Sequence, residues 1–185
     1  MTEQPADRRS DDLRLAADIA RDVQRYVATL HAVAAGEADN RAVALLLLDV
    51  AQVCLAAAHL SARNDVVLDQ SVEPGGTELF DADALREGLA KALDDLDAYA
   101  EVFDPYVADE PEQRLLSDDL TDAAVDLLVG LAHYDAGRSR EALWWWQYTC
   151  LNSWGTSMSA ALRALQSITA HARLDAGREA LPEVV

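Results

Sequence analysis

DLLVGLAHYDAGRSREALWWWQYTCLNSW, residues 126–154, reads as two helices joined by a tight turn. Leu127, Leu128, Leu131 and Tyr134 recur at helical spacing before Gly137, and Leu143, Trp146, Cys150 and Trp154 recur after it. A glycine just past the last periodic residue takes the left-handed conformation that closes a helix, and Arg138 and Ser139 lead into the next one. So short a connection makes the two helices antiparallel neighbours, and the rest of the chain extends this hairpin into an all-α bundle of about six helices.

The spacing within the hairpin resembles one tetratricopeptide repeat, with Gly130 at the close approach, Gly137 in the turn, Ala142 at the crossing and Trp146 as the large apolar plug. His133 stands where that pattern prefers tyrosine, and Trp154 where it prefers proline. No second good copy lies one repeat away, which argues against a superhelical array, since such arrays need about three repeats to bury a continuous core.

Outward from the hairpin, residues 1–9 read as a frayed tail, and Ser10 caps a first helix with its apolar stripe on Leu15, Ile19, Val23, Tyr26 and Leu30. The second helix starts at Asp39 or Asn40. Its apolar residues point in every direction, so it is expected at the centre of the bundle, with Asp49, Gln52 and His59 as a narrow wet edge. It is about long enough to cross a bilayer, but Asp49 and Gln52 interrupt it, and a buried helix is expected. Residues 64–80, with Pro74, Gly75 and Gly76, form an irregular excursion. A third helix is expected from Asp83 to Glu101, ended by Phe103-Asp104-Pro105-Tyr106. The fourth starts at Ser117, the sixth follows Trp154-Gly155-Thr156, and residues 176–185 fray. No strand is expected, and residues 10–175 form one domain.

Composition narrows the function classes. The chain of 185 residues is 51% hydrophobic and 26% charged, a globular balance. Its formal net charge of −18 repels a phosphate backbone and disfavours nucleic acid. Between Asp81 and Asp126 there are 15 acidic residues against Arg86, Lys91 and Arg114. That acidic third either serves solubility or docks a basic partner. Two cysteines, Cys54 and Cys150, are expected to be free buried thiols, and the N-terminus has no signal-peptide core; both features suit a cytoplasmic protein. Abundant alanine and a single lysine, Lys91, suggest a GC-rich genome such as an actinobacterial one.

Two constellations could carry chemistry. Asp118-Asp119-Leu120-Thr121-Asp122 has the DDxxD spacing with which prenyl-chain enzymes hold magnesium, since i and i+4 carboxylates share a helical face. Asp94-Asp95-Leu96-Asp97 is only a weak counterpart, and two aspartates in a first turn after Ser117 also serve a helix start. The second constellation is Trp144-Trp145-Trp146. Three consecutive residues span about 200° of a helix and cannot face one neighbour. Trp146 aligns with Leu143 and Cys150, Trp144 with Tyr148 and Leu151, and Trp145 with Thr149 and Asn152. Trp144, Trp145, Tyr148 and Trp154 are therefore the candidates for an interaction surface. His31, His59, His133 and His171 show no metal-ligand spacing, and no GxSxG, P-loop, GxGxxG or ExxE pattern occurs.

The C-terminal half resembles the uncharacterised, mainly actinobacterial family known as domain of unknown function 5063. The resemblance rests on Phe103-Asp104-Pro105-Tyr106, Ser117-Asp118-Asp119-Leu120, Gly130-Leu131, Ala142-Leu143-Trp144-Trp145-Trp146, Trp154-Gly155 and Ala161-Leu162-Arg163-Ala164-Leu165. It implies histidines at the positions of Ser157 and Gln166, so a site built on them would be missing here, and it implies no activity. The expectation is a non-catalytic interaction or scaffolding module with a basic protein partner. Its rivals are a small-ligand or magnesium-binding bundle, enzyme or not, that uses Asp118, Asp119 and Asp122, and a homo-oligomer whose self-interface is the Trp-bearing helix.

Overall fold

Leu116–Asp135 is the most enclosed helix, with Leu120, Ala124, Leu127, Gly130 and Leu131 all buried along it. It is α4 of six α-helices among the described residues of a computed structural model: α1 Pro5–Ala34, α2 Ala42–Ser61, α3 Ala82–Leu93, α4, α5 Ser139–Asn152 and α6 Trp154–Glu179. The structure describes residues 5–68, 80–102, 106 and 110–179, with the side chains of 5–9 and 175–179 excepted. The expected tail over residues 1–4, most of the excursion over 64–80, Phe103-Asp104-Pro105 and the end of the chain from 180 lie outside that set.

α4 packs on α1, α3, α5 and α6, and α2 packs on α1, α5 and α6. The core between them is aliphatic and aromatic, with Tyr26, Leu30, Leu46, Leu120, Leu127, Leu143, Trp146, Met158 and Leu165 all buried. Tyr26 is the one phenol at its centre, and its hydroxyl donates to the Leu120 carbonyl at 2.7 Å, so burial leaves this hydroxyl matched. That bond ties α1 to α4 across 94 positions of sequence.

The hairpin of α4 and α5 forms as its residues require. Gly137 sits at φ +77°, and the backbone N–H groups of Gly137 and Arg138 cap the carbonyls of Tyr134 and His133. Trp146 is fully buried and its indole N–H donates to the Leu127 carbonyl at 2.9 Å. A Cβ on Gly130 would come within 2.6 Å of the Trp146 ring carbon Cε2, and closer still to Nε1, so only glycine lets the two helices meet here.

Four expectations need correction. α2 is not the centre: Ala44, Leu48, Ala51, Leu55 and Ala58 face outward, Leu48 being 67% exposed. The inward side holds Asp49, buried because Arg25 Nε and Thr29 Oγ1 of α1 each donate to one of its carboxylate oxygens at 2.6 Å. A helix apolar all round gives no period from which its buried side could be read. The third helix stops at Leu93, since Asp94 lies at φ +50°, a conformation that ends a helix. A 3₁₀ turn over Asp94–Leu96 then leads into strand β1, Ala98–Glu101, antiparallel to β2, Glu112–Leu115, with Tyr99 opposite Arg114. α1 already runs from Pro5 rather than starting at Ser10, so Ser10 lies inside the helix and does not cap it. α4 begins at Leu116, and the cap is Asp97, not Ser117. Asp97 accepts from the Ser117 N–H at 2.7 Å and from its hydroxyl at 2.8 Å, so the β1 approach satisfies the helix start.

Candidate functional site

α5 divides its tryptophans by face, because successive residues are about 100° apart on a helix. Trp146 enters the core. Trp145 lies half-buried at the edge, its indole N–H donating to the Asp126 carbonyl at 3.0 Å and its ring 6.3 Å from His133. Trp144, likewise half-buried, stacks on Tyr148, one turn later, with centroids 5.4 Å apart and planes at 5°. Tyr148 is 53% exposed and Leu151, the next residue on that face, is 62% exposed. Trp144, Tyr148 and Leu151 thus make an outward apolar stripe that Trp145 continues toward α4, its ring 6.3 Å from that of Trp144.

Trp154 does not join this surface. It is buried at the start of α6 with its indole N–H on Thr149 Oγ1 at 2.9 Å, so it is a core residue and the interaction surface loses one expected member.

The α4 side of the stripe is acidic. Asp122 is exposed and Asp126 half-buried one turn later, beside Trp145. Burial pushes the Asp126 carboxyl above its ordinary range; the Ser153 hydroxyl opposes this and Asp122 adds to it. An apolar aromatic surface beside carboxylates can seat a segment that offers an aliphatic or aromatic anchor and a cation, the cation gaining from ring faces and from charge.

The DDxxD aspartates separate into two groups. Asp118 and Asp122 share Arg86 of α3, at 3.0 Å from Nε and 2.9 Å from Nη2 respectively. Asp119 points the other way, 3% exposed, and is held by both Nε and Nη2 of Arg114 from β2 and by the Tyr99 hydroxyl from β1 at 2.5 Å. Arg114 also reaches Ser157 Oγ of α6 at 3.2 Å, and Arg163 of α6 pairs with Glu101 of β1. Burial and the hydrogen bond to Asp119 push the Tyr99 phenol well above its ordinary range. Each carboxylate of the motif therefore has a guanidinium partner, and the cluster joins the small sheet to α4 and α6. Among the described residues no three His, Cys, Asp or Glu side chains come together in a way that could hold a metal ion.

Sequence reading missed Tyr99, Arg114, Asp97 and the Glu101–Arg163 pair. Their partners are fixed by strand register, which leaves no local pattern in segments as short and polar as Glu112–Leu115. His133, 2% exposed, contacts Glu141 Oε2 at 3.4 Å and Arg138 Nη2 at 3.1 Å through Nδ1, while its Nε2 is buried without a hydrogen-bond partner. Burial and then Arg138 hold its pKa down, against the pull of Glu141. Cys54 and Cys150 are free, the first half-buried and the second buried, and burial raises both thiols, Cys54 to about 11. A groove of about 400 Å³ lies between α1 and α2, floored by Leu15, Ile19, Leu55 and Ala56.

Comparison with known proteins gives a family and a fold. The crystal structure of protein BF1032 from Bacteroides fragilis is similar, with a TM-score of 0.56 over 85% of this chain and 89% of that one, at 22% sequence identity, which shows a common fold. No curated protein matches. The family model described as a domain of unknown function, DUF5063, matches residues 11–171, and the chain belongs to that family.

Proposed function

We propose that the chain is a non-catalytic interaction module of the cytoplasm, in which the tetratricopeptide-like hairpin of α4 and α5 presents an aromatic surface to a basic protein segment. The observation that carries this is the stack of half-buried Trp144 on exposed Tyr148, extended by exposed Leu151 and joined through Trp145 to Asp126 of α4, one turn from Asp122. An exposed apolar surface of this kind costs solubility unless it is used, and tryptophan and tyrosine are favoured anchors. The −18 net charge steers a cationic partner toward it.

The magnesium-binding rival asks Asp118, Asp119 and Asp122 to converge, and the arginine pairing of all three favours the interaction reading over it. Adding magnesium should leave the melting temperature unchanged. A rise that Asp119→Asn removes would restore the metal reading. The interaction itself is tested by capture from the native cell with the wild-type chain, Trp144→Ala and Asp122→Asn. One protein with a basic segment should be lost with Trp144→Ala and reduced with Asp122→Asn. Retention of every captured protein by Trp144→Ala, with the fold intact, would sink the proposal.

A further inference from the structure

The outward side of α2 carries a second surface, independent of the aromatic one. Among its exposed residues, Ala44, Leu48, Ala51, Leu55 and Ala58 are spaced 4, 3, 4 and 3 apart, with His59 and Ser61 exposed beside the last of them. That is the a and d pattern of a coiled-coil seam, with alanine at every d position and leucine at a. The flanking positions Leu45, Leu47, Gln52, Cys54 and Ser61 carry no charge, His59 is the one titratable flank, and the helix has one acidic residue, Asp49, which is turned inward onto Arg25. In a chain of net charge −18 this is a strip about 22 Å long with no acidic or Lys/Arg side chain on it.

We infer that this strip is a self-interface, in which α2 of one copy packs antiparallel on α2 of a second copy about a two-fold axis at the level of Val53. In that register Leu48 of each copy lies opposite Ala58 of the other, and Leu55 opposite Ala51, so each of the four central layers pairs one large residue with one small, while Ala44 falls opposite Ala62 at either end. Interdigitation of that kind lets two helices approach closely. Charge points to the same occupant. The α1 rim beside the strip alternates in sign, Asp11 with Arg14, Asp18 with Arg21 and Asp22 with Arg25, so two copies meet here with little of the repulsion they carry elsewhere. An anionic lipid surface would instead meet Asp11, Asp18 and Asp22 without the excess of lysine and arginine that interfacial helices carry. Area sets the strength. The strip offers roughly 200 Å² per copy from the dimensions of a helix, and the adjoining α1 groove about as much again, below the roughly 800 Å² of a standard interface. The dimer is therefore a micromolar, concentration-dependent one.

Sedimentation of the full chain across the micromolar range tests this, with far-UV circular dichroism as the check on folding. The wild type should reach twice the 20.1 kDa chain mass at high concentration. Leu48→Glu and Leu55→Glu, at positions 67% and 50% exposed, should stay at the single-chain mass with unchanged helicity. Leu48→Ala should raise the dimer dissociation constant about tenfold, and the swap Leu48→Ala with Ala58→Leu should recover it, since each layer regains one leucine. A wild type that is monomeric throughout overturns the inference, as does a dimer that both glutamate variants leave intact. A monomer that floats with lipid vesicles overturns it too and assigns the strip to a membrane surface.

Discussion

Gly130→Ala isolates the contact on which the α4–α5 hairpin depends. The added methyl would sit within 2.6 Å of Trp146 Cε2, against a ring that is fully buried and tied to the Leu127 carbonyl. Three effects compete. Alanine is the better helix former by about 1 kcal/mol. Overpacking a filled core costs about 1–3 kcal/mol. If the ring moves, its buried N–H loses its acceptor, at about 1–3 kcal/mol more. The unfavourable effects outweigh the favourable one, and the net loss is about 1–5 kcal/mol, which in a chain of this size lowers the melting temperature by roughly 2–20 °C. Urea and thermal unfolding measure it. Trp146→Leu costs stability alone, but in the double variant the Gly130→Ala penalty should largely vanish, giving a coupling of more than about 1 kcal/mol. A Gly130→Ala protein more stable than wild type would mean that helix propensity decides, and that α4 and α5 do not meet as described.

Two further perturbations probe the buried polar groups. Arg114→Leu leaves the Asp119 carboxylate enclosed with only the Tyr99 hydroxyl, and should destabilise the chain by about 3 kcal/mol, more than Asp119→Asn does, in denaturant titrations. His133 has a folded-state pKa below the ordinary 6.5, so on acidification the unfolded chain takes up the proton first. Its contribution to stability is therefore lost as the pH falls below about 6.5, and His133→Gln should flatten the pH dependence of the urea midpoint in that window. An unchanged slope would mean that His133 titrates alike in both states.

The hairpin was legible in the sequence because its requirements are local: Gly137 for the turn, and Gly130 opposite Trp146 for the close approach. The division of Trp144 from Trp146 followed from helical angle alone. The orientation of α2 did not, since apolar residues on every side give no moment, and Asp49 finds its partners 20 and 24 residues away. Trp154 was misplaced for a related reason. Its burial depends on where α6 turns back against α5, and its N–H is satisfied by Thr149, a contact no periodicity encodes. The DDxxD spacing was visible, but its meaning lay in Arg86 and Arg114, brought in by α3 and by strand register.

The outer face of α5 is tested most directly by a photo-crosslinking aromatic placed at Tyr148 in the otherwise native chain within its own cell. The prediction is one dominant adduct with a protein that carries a basic segment. That adduct should be absent when the crosslinker stands instead at Arg173, which is also exposed, and should be lost when Trp144→Ala is added. If position 148 labels no more than position 173, or if the adduct survives loss of the Trp144 ring, the aromatic face is not where this protein meets its partner.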